Sequence, residues 1–158
     1  MSANTKQSKQ VFSLPLRESK LCPIGLLQLD KVNPRLQTGG EFIVDDELSI
    51  INALSDIAAL DELITSICNN KYLNLEPLIV IGDSDNGPFR VLEGNRRLAS
   101  IKLISDPVLA KEVGVKVPQN IDQEIKDSFS EVLVYRVEKE VDARAFIGFK
   151  HINGPQRW

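Results

Sequence analysis

The chain has 158 residues, enough to bury one hydrophobic core and too few for two ordinary domains. Hydrophobic residues make up 42% and charged residues 26% of the sequence, which is typical of a globular protein and excludes wholesale disorder and a fibrous repeat. The 19 basic and 22 acidic residues give a net charge of -3, so no overall basic field draws the chain onto nucleic acid, and any such contact must be local.

The first part of the chain predicts a flexible arm followed by a strand. Residues 1–20 are rich in Ser, Lys, Gln and Asn, and we assign them to the arm. Residues 21–158 form one domain, and further domains are expected beyond Trp158. The apolar run at residues 24–29 predicts a strand. Asn33-Pro34-Arg35 is expected to be extended or turned, because the residue before a proline avoids the helical region.

Helical spacing of apolar residues begins near Asp45 and predicts two consecutive helices. The first covers residues 45–58. The second has Asp61 and Glu62 in its first turn and ends at Asn69-Asn70, where an asparagine tolerates the left-handed conformation.

A hairpin and a further helix follow. Residues 77–81 predict a buried strand, and the loop at residues 82–88, rich in Gly and Asp, returns the chain into a strand at residues 89–92. Helical spacing resumes over residues 94–105 and ends at Asp106-Pro107. The remaining predicted elements are a short helix or loop at 107–120, a surface helix at 121–129, a strand at 131–137 and a helix at 139–150.

The segment Glu93-Gly94-Asn95-Arg96-Arg97, which we call the glycine turn, carries the main chemical signal. The predicted strand passes through Gly94 into a helix whose first turn holds two arginines. Helix N-termini bind anions, glycine allows close approach to the backbone, Asn95 is placed to cap the turn, and guanidinium groups suit phosphate oxygens. Neighbouring helix residues point about 100° apart, so one arginine is expected to face the anion. A surface helix with two solvated or acid-paired arginines fits the same residues.

The region from Leu73 to Leu103 resembles the N-terminal domain of ParB-like proteins, in which a strand, a hairpin, a Gly-x-Arg-Arg motif and a helix recur in this order. Asn33-Pro34-Arg35 resembles the first nucleotide-facing motif of that family, and the resemblance covers most of residues 22–158. It implies an α+β fold of the ParB/sulfiredoxin type, with a small mixed sheet and flanking helices.

The resemblance also implies a function. Family members bind nucleoside triphosphates, often CTP with magnesium, as switches for clamping on DNA. The implied function is a regulatory domain of a DNA-associated protein that binds CTP or ATP with Mg2+ and is a candidate for slow nucleotide hydrolysis, with DNA and a second copy of the chain as further candidate partners. The residues that the resemblance assigns to the phosphates and the nucleotide are Gly94, Asn95, Arg96, Arg97, Asn33 and Arg35.

Two further residues complete the set of candidates. Glu93 is the candidate catalytic acid or metal-side carboxylate, and His151 is a candidate phosphate contact with a pKa close to working pH. The chain departs from the family pattern in two places. Asn95 stands where the motif usually has an acidic residue, which bears on magnesium binding and hydrolysis, and residues 151–157 match the third family motif only loosely.

Three alternatives use the same residues. Arg96 and Arg97 fit a DNA-binding or nuclease module, or an assembly domain that binds an acidic partner surface. Glu93 as proton acceptor fits a phosphotransferase like the free-serine kinases on this fold. Sulfiredoxin chemistry is rejected, because the glycine turn contains no cysteine and Cys22 and Cys68 are predicted to be buried free thiols.

Composition also sets expectations for location and metal. No apolar run approaches the roughly 20 residues that a membrane helix needs, so we expect a cytoplasmic protein without membrane contact. The single histidine of the chain excludes a histidine-rich metal site, so a divalent ion would depend on carboxylates and phosphate oxygens.

Overall fold

The computed structural model describes residues 11–30, 50–51 and 59–145. They form an α+β fold in which helices flank one five-stranded sheet. The strands are β1 (Ser19–Pro23), β2 (Leu27–Gln28), β3 (Leu78–Ile81), β4 (Phe89–Glu93) and β5 (Glu131–Arg136). The helices are α1 (Ala59–Asn70), α2 (Asn95–Ser105), α3 (Pro107–Val113) and α4 (Gln123–Ser128), and residues 140–145 are also helical.

The sheet is mixed, with strand order β1-β5-β3-β4-β2. The β1–β5 and β3–β4 pairs are antiparallel, whereas β3–β5 and β2–β4 are parallel. The antiparallel β3–β4 pair confirms the predicted hairpin, and the whole arrangement confirms the predicted small mixed sheet with flanking helices. The β3–β4 register shifts between Ile79 and Val80, opposite the end of β4, where the chain turns toward α2.

The core lies between the central strands and the helices. Side chains of Leu78, Val80 and Val91 on the sheet, and of Leu98 and Ile101 on α2, are fully buried in one cluster. Complete burial of such a side chain stabilises the fold by about 1.5–3 kcal/mol. The α2 helix is therefore anchored along its inner face, which fixes the direction of its N-terminus.

The helices match their sequence signals with one local difference. Asp61 and Glu62 occupy the first turn of α1, as predicted. The left-handed residue at its end is Lys71, with φ of 72°, and not an asparagine of the Asn69-Asn70 pair. The Lys71 amide donates to the carbonyl of Ile67 at 2.8 Å, which closes the last turn.

The boundary between α2 and α3 confirms the predicted stop. The Asp106 amide closes the end of α2, and its carboxylate accepts a hydrogen bond from the amide of Leu109 at 3.1 Å. Pro107 occupies the first turn of α3, where its missing N–H costs nothing. One residue therefore ends the first helix and caps the next.

The N-terminal region departs most from prediction. Strand β1 was not predicted, and the strand expected over 24–29 is confined to β2, because Ile24–Leu26 forms a 3-10 turn. Residues 11–18, which we assigned to the flexible arm, contribute to the core. Leu14 is fully buried, and the ring of Phe12 meets Phe89 edge-on at 6.2 Å between centroids. These contacts are long-range, so local composition does not reveal them. The division into arm and domain as a whole stays a prediction.

Two predicted helices extend beyond the described residues. Of the first, 45–58, the structure describes Ile50 and Ile51 as helical and buried. Of the last, 139–150, residues 140–145 are helical, as predicted. Among the residues that the structure describes, no helix has the length and apolar character needed to cross a membrane.

Candidate functional site

The glycine turn joins a buried strand to the best-anchored helix. β4 ends at Glu93, α2 begins at Asn95, and Gly94 between them has φ of 103° and ψ of 18°. A β-carbon at this position would lie 2.3 Å from Cδ2 of Leu78. Both the left-handed backbone and the packing against β3 therefore require glycine. The motif explained this glycine by close approach of a ligand, and the structure adds a steric reason.

The N-terminus of α2 has an anion-binding character. Leu98 donates from its amide to the carbonyl of Gly94 at 3.0 Å, which is the first bond of the helix. No side chain of the described residues caps the turn. Because the helix dipole is positive at this end, the first turn favours a negative group.

The side chain of Asn95 faces the protein interior, so the prediction that it caps the turn is wrong. Asn95 is 5% exposed. Its Nδ2 donates to the carbonyl of Val91 at 2.8 Å, and its Oδ1 accepts from the amide of Asp30 at 2.9 Å. The side chain thus ties the end of β4 to the segment after β2, and a phosphate could meet only the backbone of Asn95 without breaking these bonds.

The two arginines have different surroundings. Nη1 of Arg97 donates to the carbonyl of Glu76 at 2.8 Å and lies 3.4 Å from the hydroxyl of Tyr72. Arg97 thereby holds the loop before β3 against α2. Arg96 is half-buried, and its side chain leaves the helix about 100° away from that of Arg97. Arg96 therefore leaves α2 on a different side from Arg97, which faces the loop before β3.

An ion-pair network beside the turn, with one buried carboxylate, was missed by the sequence analysis. Asp30, 4% exposed, accepts from Nη1 of Arg90 at 2.8 Å, and Nη2 of Arg90 donates to the carboxylate of Glu140. Partial burial lowers the pKa of Arg90, but its hydrogen bonds to Glu140 and Asp30 outweigh that and raise it. The sequence contained two signals of this network. Arg90 stands between core residues of β4, and Asp30 directly follows an apolar run.

The other predicted residues are placed only in part. Glu93 is half-buried at the end of β4, opposite Ile79 of β3. Asn33, Arg35 and His151 lie outside the described residues. The structure therefore places Glu93 and the other residues of the glycine turn. The predicted contribution of Asn33, Arg35 and His151 stays a prediction.

Glu93 is the acid of the glycine turn that could contribute to a metal site. Within residues 11–30, 50–51 and 59–145, no three His, Cys, Asp or Glu side chains cluster as a metal site. Mg2+ usually keeps several waters and binds through one or two carboxylates and substrate phosphates. A Mg2+ ion here would take Glu93 at most from the turn and the rest of its ligands from phosphate and water.

The two cysteines differ in accessibility. Cys22 is fully buried, which confirms that prediction, whereas Cys68 is half-buried. Burial, with a smaller contribution from the charge of Glu131, raises the pKa of Cys22 to about 12. Cys22 is therefore a neutral thiol at physiological pH and has no nucleophilic character.

Alkylation of the folded protein at pH 8 is expected to modify Cys68 well before Cys22. The thiol of Cys22 is fully buried, and its raised pKa keeps it protonated. Mass spectrometry of the folded chain should show one modified thiol, and the unfolded chain two. A C68S variant serves as the control and should stay unmodified while folded. Equal labelling of both thiols in the folded wild type would contradict the described burial.

Comparisons with known proteins assign no family to this chain. No protein-family profile matches the chain, and no curated protein matches it significantly. One solved structure that it is similar to is the C-terminally truncated chromosome-partitioning protein ParB from Caulobacter crescentus, in complex with CTP-gamma-S. The TM-score is 0.44 and the sequence identity 19%, over 89% of this chain and 56% of that chain. This chain thus spans little more than half of the length of that protein.

Proposed function

We propose that this domain binds a nucleoside triphosphate with Mg2+, as a regulatory domain, and holds the phosphates at the first turn of α2. The observation that carries the proposal is the left-handed Gly94, which leads from a buried strand into a helix with no side-chain cap among the described residues and with Arg96 in its first turn. The resemblance of the glycine turn to the ParB motif supports the same assignment.

The proposed roles combine the resemblance to the ParB motif with the contacts of Asn95 and Arg97. The first-turn amides and the guanidinium of Arg96 bind phosphate oxygens, because both present donors to an anion. Asn95 and Arg97 support the turn from inside through their bonds to Asp30 and Glu76. Glu93 is the acid candidate for hydrolysis. The residues proposed to close the site from the flanking segments are Asn33, Arg35 and His151.

Separate substitution of the two arginines should distinguish the residue that binds the nucleotide from the residue that stabilises the turn. Arg96→Ala is expected to lower nucleotide affinity by about tenfold or more, since a charge-assisted bond contributes about 1.5–3 kcal/mol. Arg97→Ala leaves the carbonyl of Glu76 without its partner and should lower the free energy of unfolding by about 1–3 kcal/mol. Calorimetry with the four ribonucleoside triphosphates and Mg2+, and urea unfolding, measure the two effects.

Lys111→Ala is the control, because it also removes one positive charge but lies beyond the far end of α2, about 15 Å along the helix axis from the turn. Its affinity should equal that of the wild type. If the folded wild type binds no nucleotide at millimolar concentration, the proposal fails. Polynucleotide binding that weakens steeply with salt, without nucleotide binding, would favour the nucleic-acid alternative.

A further inference from the structure

Arg90 connects three parts of the chain that meet beside the glycine turn. From β4, its guanidinium reaches Asp30 after β2 and Glu140 on the helical residues 140–145. The two carboxylates differ in exposure to solvent: the side chain of Asp30 is 5% exposed, and that of Glu140 is 53% exposed. The Asp30 contact is therefore the one in which loss of the guanidinium would remove a counter-charge from a buried carboxylate.

Asp30 is also bonded to the first residue of α2. Its amide donates to Oδ1 of Asn95, while its carboxylate accepts from Arg90. A buried carboxylate without its cation moves toward water or takes a proton, because isolated burial of a charge is costly. Movement of Asp30 would break the bond from its amide to Asn95 and shift the start of α2.

We infer that Arg90 is a positioning residue for nucleotide binding, acting through Asp30 and Asn95 on the first turn of α2 without itself contacting the phosphates. This inference rests on the proposed function. The effect passes from the guanidinium of Arg90 to the carboxylate of Asp30, and from the backbone amide of Asp30 to the side chain of Asn95. The contact of Arg90 with Glu140 is not needed for it. Neither Arg90 nor Asp30 belongs to the residues that the motif resemblance assigns to the nucleotide.

A double-substitution cycle on nucleotide affinity tests this inference. Arg90→Met keeps the side-chain volume, removes the cation, and should weaken binding by about tenfold or more. Asp30→Asn removes the buried charge that needs the cation and should stay within about threefold of the wild type. In the Asp30→Asn background, Arg90→Met should cost no more than about threefold, because the group that Arg90 holds is then neutral.

Two controls separate position from charge. Glu140→Gln neutralises the other carboxylate on the same guanidinium and should leave the affinity within about twofold of the wild type. Arg90→Lys keeps the charge beside Asp30 and should restore most of the affinity lost in Arg90→Met. Long-range attraction between Arg90 and the phosphates would instead give the same loss in both backgrounds, and that loss would fade toward 1 M salt, where the Debye length is about 3 Å.

The outcomes are distinct for the two proposals. Absence of nucleotide binding by the folded wild type overturns the proposed function and this inference together. Binding by the wild type with an equal loss from Arg90→Met in both backgrounds, or with no loss in either, overturns the inference alone. If Arg90→Met lowers the affinity where Asp30 is present and not where it is replaced by Asn, the inference is supported. Urea unfolding of each variant confirms that the affinities refer to folded protein.

Discussion

Replacement of Gly94 by alanine is expected to lower the free energy of unfolding by about 3–5 kcal/mol and to abolish nucleotide binding. Two costs combine. A side chain at φ of 103° strains the backbone, and the new β-carbon would lie 2.3 Å from Cδ2 of Leu78, so the buried side chain of Leu78 must shift. Urea unfolding followed by circular dichroism measures the first effect, and calorimetry measures the second.

Gly114 supplies the matched control for this substitution. It has φ of 84°, at the end of α3, but a β-carbon there would meet nothing within 4 Å. Gly114→Ala should therefore cost only the backbone strain, about 1–2 kcal/mol. If the two alanine variants are equally destabilised, the packing of Leu78 against Gly94 is not the cause.

A second variant isolates the steric contribution. Leu78→Ala removes the methyl group that collides with the new side chain, at the cost of a cavity of its own. In that background Gly94→Ala should cost less than it does in the wild type, and the difference measures the collision. Simple addition of the two losses would show that Leu78 adapts without resistance.

Features that depend on local sequence were predictable. The acids at the start of α1, the Asp106-Pro107 boundary and the hairpin into β4 all follow from the conformational preferences of a few neighbouring residues. The glycine turn was located for the same reason, because the change from strand to helix spacing occurs at Gly94. Local rules therefore gave the elements and the position of the candidate site.

Features that depend on contacts between distant residues were not predictable. Asn95 was expected to face a ligand, but its partner Asp30 lies 65 residues away in the sequence. One arginine of the pair was expected to face an anion, but the sequence did not show that Arg97 binds a carbonyl 21 residues earlier. The sequence shows that a polar side chain is present, and only the tertiary structure shows which polar group satisfies it.

Arg136 gives the second large expected effect, because it is the 4% exposed residue that fastens the N-terminal segment to the hairpin loop. Its Nη1 donates to the carbonyl of Leu14 at 2.9 Å and to the carboxylate of Asp85, and its Nη2 donates to the carbonyl of Gly82 at 2.9 Å. Asp85, assigned from sequence to a turn, thus also accepts an ion pair. The guanidinium further lies 5.9 Å from the ring centre of Phe89.

Arg136→Met should lower the free energy of unfolding by about 3–5 kcal/mol, because it fills the volume but leaves two carbonyls without their charged donor. Arg17→Met is the control, since Arg17 also pairs with a carboxylate, Glu138, at 2.6 Å but is 66% exposed, and should cost less than about 1 kcal/mol. Limited proteolysis should cut residues 11–18 faster in the Arg136 variant than in the Arg17 variant. Equal unfolding energies for the two variants would mean that the buried guanidinium of Arg136 contributes no net stability, and that the segment around Leu14 is held by its apolar contacts and its other hydrogen bonds.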